Sequence, residues 1–325
     1  MQLNRTFMLL LLALGVAPKD SPARDLDELS FTVTREAPIE NGQLSELSGL
    51  VRSQLFEDVY WAHNDSGDSA RVFALDREGK TLCPGFLASC RTAAVGLRDW
   101  PGQSVELAMN YDWEDIAVFE GDLLIADIGN NGNARRDLGI YRVPEFNPLA
   151  VERTRALAFY PIRYPEQRQF PAEQWEFDAE ALFTDGSEVF LITKHREPGK
   201  IGTFKRGAKL YRVPLQSSVE PNVLEWVASH EDLAVVTAAD VSPSGETLAV
   251  LGYQALWLFS RPKNVEDHWF SVLAGQLDLR PFDMGQVEAV TFTGVASLMI
   301  ANEGGDRYRV DVVTSTVHLG EHDHD

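Results

Sequence analysis

Among 325 residues there are 2 cysteines and 7 histidines, and 29 basic side chains stand against 49 acidic ones. Each scarcity excludes something. Cys83 and Cys90 lack the C-x-x-C spacing and nearby histidines that a redox or metal site of free thiols needs. A net charge of −20 repels phosphate backbones and anionic lipids, which argues against nucleic-acid partners and membrane insertion. It suits cations and neutral or cationic ligands, or serves as a plain solvated surface. No G-x-S-x-G elbow, phosphate-cradling loop or H-E-x-x-H motif is present, so three common catalytic designs have nothing to rest on.

Long apolar runs are also missing. The stretch Phe7–Val16 is too short to span a bilayer, and it follows Arg5 and precedes the small residues Ser21 and Ala23. Residues 1–23 therefore read as a signal peptide cleaved after Ala23, with Ala17 as the alternative, for a periplasmic or secreted protein. In that oxidising space Cys83 and Cys90, bracketing Pro84–Ser89, read as a disulfide pinning a surface loop. The tail 321–325 alternates histidine and aspartate, reading as disordered or as a weak metal-binding tract.

What the chain has is a phrase repeated five times: a small or acidic residue opening an apolar run, a second apolar run, a polar loop, and a third run with an aromatic. The phrase opens at Ser48, Asp115, Glu180, Asp240 and Glu288, and its aromatics are Phe73, Tyr141, Tyr211, Trp257 and Tyr308. Such a period with short strands is the signature of propeller blades. Second runs such as Leu123–Ala126 and Leu248–Leu251 are apolar throughout, as strands covered on both faces are. Outer strands are weaker: Leu157–Tyr160, Leu224–Val227 and Trp269–Val272. The last repeat ends near Val313 and an orphan strand, Phe31–Thr34, precedes the first, so the N-terminal strand is expected to complete the final blade. The fold class is thus an all-β propeller over 24–320, one domain and a monomer, with five four-stranded blades. A sixth requires strands hidden in Arg91–Tyr111.

A propeller gathers the starts of its inner strands and the ends of its second strands on one face. That groups Glu46, Asp112, Glu114, Asp115, Asp178, Glu180, Asp240 and Glu288 with the loops His63–Asp68, Asp127–Asn131, Lys194–Arg196 and Asn302–Asp306. Carboxylates and carboxamides are hard oxygen donors, which calcium prefers. Glu46, Asp115, Glu180, Asp240 and Glu288 are the candidate metal ligands, or else braces between blades. His63, Asn64, Asp68, Asn130, Asn131, Arg196, Asn302 and Glu303 are candidates for ligand binding. Asp65 or Asp127 would serve as general base, with Lys194 or His195 stabilising negative charge.

The segments Glu46–Leu50, His63–Asp68, Asp112–Ala117, Asp178–Leu182 and Val287–Val290 resemble secreted bacterial β-propellers of the phytase-like or esterase-like type. The resemblance spans about 29–318 and rests mostly on blade signatures. It implies a propeller, and ester or phosphoester hydrolysis as its activity. Two functions follow as expectations. One is binding of a small ligand, glycan or partner protein at an acidic channel mouth. The other is calcium-dependent hydrolysis of esters, phosphoesters or lactones.

Overall fold

A computed structural model describes residues 28–91 and 100–315. The signal segment 1–23 and the tail 321–325 lie outside them. Five sheets, antiparallel except where Arg153–Arg155 and Asn222–Val223 add short parallel outer strands to blades one and two, surround one axis as a five-bladed propeller. The inner strands are Leu47–Arg52, Trp113–Phe119, Trp175–Asp185, Val236–Val241 and Val287–Gly294. The stretch 100–111 builds no sixth blade: Gln103–Glu106 pairs with Arg71–Val72 as the outer strand of blade one. Glu28–Arg35 pairs antiparallel with Arg307–Ser315 and completes blade five, so both loose ends of the repeat are consumed in closing the ring. Cys83 and Cys90 are disulfide-bonded.

The core is divided into five wedges, each between neighbouring blades. All five repeated aromatics are buried there. Wedge five–one is closed partly by a buried arginine. The Arg307 guanidinium donates to the carbonyls of Ala37 at 2.9 Å, Arg77 at 3.0 Å and Glu78 at 2.6 Å. One outer strand differs from expectation. In blade four it is Leu273–Asp278, whereas Trp269 and Phe270 form the preceding turn. These two rings are buried against Phe183 and Phe259, and that apolar demand, not strand pairing, produced the hydrophobic run in the sequence.

Every inner strand carries a β-bulge at the same height. The bulged residues are Ser48, Glu114, Glu180, Thr237 and Glu288, each flanked by residues that pair with consecutive positions of the second strand. A bulge breaks the alternation of side chains and re-aims one of them. The next residues are Gly49, Asp115, Ala181, Ala238 and Ala289. Four are small, as a narrow axis demands; Asp115 is the exception and fills the space. Its carboxylate accepts from Ile116 N–H at 2.8 Å, Leu182 N–H of blade three at 2.8 Å and Ala239 N–H of blade four at 3.4 Å. Replacing Asp115 with alanine strands buried amides, each costing about 1–3 kcal/mol. Urea unfolding of Asp115→Ala is expected to report a loss of at least ~3 kcal/mol, and a loss under ~1 kcal/mol would show that the ring closes without it.

Candidate functional site

Two stacked rings form the channel mouth. The deeper ring is the five bulged residues. The upper ring comes from the residue that follows, in each second strand, the partner of the residue just before the bulge: Asp65, Ile128, Lys194, Tyr253 and Glu303. Together they enclose a cavity of about 170 Å³ lined by Asp65, Glu114, Glu180, Glu288 and Glu303, with Lys194 and Arg196 as its cations. Asn131, Phe204 and Gln286 complete the wall.

The upper ring supplies partners to the deeper one unequally. Lys194 forms a buried ion pair with Glu180. Arg196 donates to Asp178 at 2.6 Å and lies 3.5 Å from Glu180. Both cations sit against Phe204, at 5.4 Å and 4.7 Å from its ring centre. Tyr253 donates its hydroxyl to Glu288 at 2.6 Å. In blade two the corresponding residue, Ile128, is apolar and belongs to the core between blades two and three. Glu114 is 4% exposed, and no described residue donates a hydrogen bond to its carboxylate. Its nearest company is acidic: oxygens of Asp65, Asp112 and Glu114 all lie within 4.8 Å of one another. Gly129 belongs to this corner, because a Cβ there would meet Glu114 Oε1 at 2.1 Å and Asp112 Oδ2 at 2.3 Å.

Burial and crowding of like charge raise these acids. Burial, then repulsion from Glu180, Asp65 and Asp112, carries Glu114 well above the carboxylate range. Burial, then Asp65 and Asp178, lifts Asp112 to about 6. Burial lifts Glu288 to about 7, despite Lys194 and the Tyr253 hydroxyl. Burial opposes charge on Lys194, but Glu180, Asp178 and Glu114 outweigh it and hold the ammonium.

The candidates from the sequence divide clearly. Asp65, Asn131, Glu180, Lys194, Arg196, Glu288 and Glu303 line the mouth. The five proposed metal acids do not form one ring. Glu46 is exposed on the preceding loop. Asp115 is the axial tie. Asp240 ends its inner strand, accepts from Val241 N–H, Thr291 hydroxyl and Phe292 N–H at 2.7–2.9 Å, and faces a separate cavity of about 530 Å³ at the far end. His63 is fully buried beside Gly49, whose added Cβ would lie 2.4 Å from its Nε2. His195 turns away from its neighbours Lys194 and Arg196 by strand alternation and packs beneath Gly207.

Asn64, Asp127, Asn130 and Asn302 hold loops. Asn64 bonds Glu46 N–H at 3.2 Å, Gln43 carbonyl at 2.8 Å and Asp68 at 2.6 Å, and Asp68 pairs with Arg71 at 2.7 Å. Asp127 accepts from Tyr111 and Asp112 amides and pairs with Arg135 at 2.8 Å. Asn130 Nδ2 donates to Phe177 carbonyl at 2.8 Å, and Asn302 Nδ2 to Met284 carbonyl at 2.8 Å. Tyr253 and Phe204 line the mouth without being candidates from the sequence. Tyr253 had a signal, since it follows the second strand as Asp65 and Lys194 follow theirs; Phe204 sits in an unrepeated extension and had none.

An acid raised on folding keeps a proton that the unfolded chain releases. Glu288 moves from 4.5 to about 7, so stability is fully present below about 4.5 and is lost as pH rises through about 7. Protein in chelator is therefore expected to show a melting midpoint that falls between pH 5 and pH 8, and a midpoint rising over that interval would contradict a raised Glu288.

No protein family matches the sequence, and no curated protein is detectably similar to it. Solved structures similar in shape include the PQQ-bound aldose sugar dehydrogenase of Streptomyces coelicolor, at TM-score 0.48 and 11% identity over 88% of this chain and 100% of that one. A putative oxidoreductase (glucose dehydrogenase) of Thermus thermophilus aligns at TM-score 0.44 and 11% identity over 87% and 100%. A luciferin-regenerating enzyme aligns at 0.42 and 8% over 88% and 80%. Likeness this distant carries no chemistry from those proteins to this one.

Proposed function

We propose that this protein is an extracytoplasmic ligand-binding propeller whose acidic mouth holds a cation, with calcium the ion its donors suit. The observation that carries the reading is Glu114: a buried carboxylate without a donor, aimed into the cavity beside two further acids. Glu180 and Glu288 each have a protein donor, Lys194 and Tyr253 respectively, whereas no described residue donates to the Glu114 carboxylate. Asp65, Asp112 and Glu114 would be the ligands; Asn131, whose Oδ1 accepts from Arg196, donates its Nδ2 to Asp112 Oδ2 at 3.4 Å and braces the set from its edge. Hard oxygen donors of this kind match calcium. The disulfide fits an oxidising compartment, and no helix among the described residues is long and apolar enough to cross a membrane.

A second reading, hydrolysis of esters, phosphoesters or lactones in the manner of the phytase-like propellers, draws on one feature. Lys194 and Arg196 face the same cavity and could oppose negative charge developing near a bound cation. Asp65, whose pKa burial raises, is then the acid placed to move a proton.

Calcium at a hundredfold excess over its dissociation constant is worth about 2.7 kcal/mol. Adding calcium to chelator-treated protein at pH 7.5 is expected to raise the melting midpoint by several degrees. Glu114→Gln should abolish the rise while raising the midpoint of the metal-free protein. An unchanged midpoint in the parent protein would sink the cation reading. Turnover of p-nitrophenyl esters, phosphate esters or lactones that vanishes in Asp65→Ala would favour the second reading over simple binding.

A further inference from the structure

The strands of blade three overshoot their neighbours. Glu188–Glu197 and Lys200–Arg212 run on as a hairpin arm past the mouth, and the outer strand Glu225–Ala234 follows them. The chain then enters blade four at Val236 through the single residue Val235, at φ +51°. A β-branched residue in the left-handed region is strained. It is held there by the abrupt reversal, with the carbonyls of Ala234 and Val235 pressed on Gly252. So short a link leaves no loop to fill the space between the arm and blade four. What remains is a groove of about 790 Å³, within the ~300–1,000 Å³ of small-molecule sites.

This groove adjoins the mouth. Phe204 and Tyr253 line both. At the inner end stand Glu288 and Glu303 of blade five, with Lys194 facing them across the mouth and Asp65 of blade one next in the ring. Along the groove the rings of Phe204 and Tyr253 meet edge to face, 6.1 Å apart. At the outer end two exposed ion pairs, Arg206–Asp232 at 3.0 Å and Arg280–Asp278 at 2.7 Å, present paired donors and acceptors with no net charge. The chemistry thus runs from anionic through aromatic to neutral and polar.

We infer that the groove between blades three and four binds an amino-sugar oligosaccharide, its ammonium at Glu288 and Glu303 and its rings and hydroxyls running out over Phe204 and Tyr253 to the two ion pairs. Aromatic faces take the C–H faces of sugar rings, and the ion pairs offer the hydroxyls both a donor and an acceptor. The −20 surface draws such a cation in. The residues differ from those of the calcium corner, so the two sites can be tested apart.

The test is calorimetric titration at pH 7 and low salt with glucosamine trimer, its N-acetylated counterpart, and trilysine. The glucosamine trimer is expected to bind at least tenfold more tightly than the N-acetylated trimer and than trilysine. The double variant Arg206→Ala/Arg280→Ala, altered at exposed positions, should weaken it at least tenfold and keep the calcium-induced rise in melting midpoint. The proposal is overturned by no binding, by equal affinity for the two trimers, by trilysine matching the sugar, or by unchanged affinity in the double variant. In the parent protein, no sugar binding beside an intact calcium response sinks this proposal alone, and no calcium response beside intact sugar binding sinks the cation reading alone.

Discussion

The carboxylate of Asp115 reaches across the axis of the ring, and the rest of the molecule is arranged around that contact. It leaves blade two and accepts amides from blades three and four, the second of which is not its neighbour. Such a reach is possible only in a propeller of few blades, where the inner strands close to a narrow channel. The same narrowness suits Ala181, Ala238 and Ala289 at the equivalent height, while Gly49 there makes room for the buried His63 ring. One polar side chain on the axis satisfies amides that four small residues cannot, and it separates the mouth from the cavity at the far end.

The bulge just above that height converts architecture into chemistry. Inner strands of alternating residues would send only every second side chain to the axis. The bulge admits one more in each blade, giving the ring Ser48, Glu114, Glu180, Thr237 and Glu288. Ser48 and Thr237 use their hydroxyls between blades, donating to Glu114 carbonyl and Val287 carbonyl, both at 2.8 Å. Three acids are left facing the cavity, and their different partners set their different roles: a lysine for Glu180, a phenol for Glu288, and no donor for Glu114. Buried charge unpaired by protein must take a proton or a cation. This inequality, not the number of acids, gives the mouth its direction.

Much of the scaffold was legible because strand alternation and strand length are local properties. The third-strand aromatics, the apolar second strands and the closing role of Phe31–Thr34 all follow from patterns within a few residues. The site was less legible, and the reason is register. Asp115 looked equivalent to Glu180, yet the bulge makes Glu114 its counterpart, one residue away on the other face. Asp240 looked like the opening of a repeat, but blade four begins at Val236, so that acid ends its strand and points to the far cavity. Lys194, His195 and Arg196 are adjacent in sequence, and alternation sends the histidine away from the other two.

The amino-acid sequence by itself determined the class of fold, the ring closure, the disulfide pair and the acidic character of the surface, since these depend on composition and short-range pattern. Tertiary structure alone decided which acids share the mouth, which are consumed as braces, and that an arm and a one-residue link leave a groove beside it. Those outcomes depend on pairing between residues far apart in the chain, where a shift of one position exchanges the two faces of a strand.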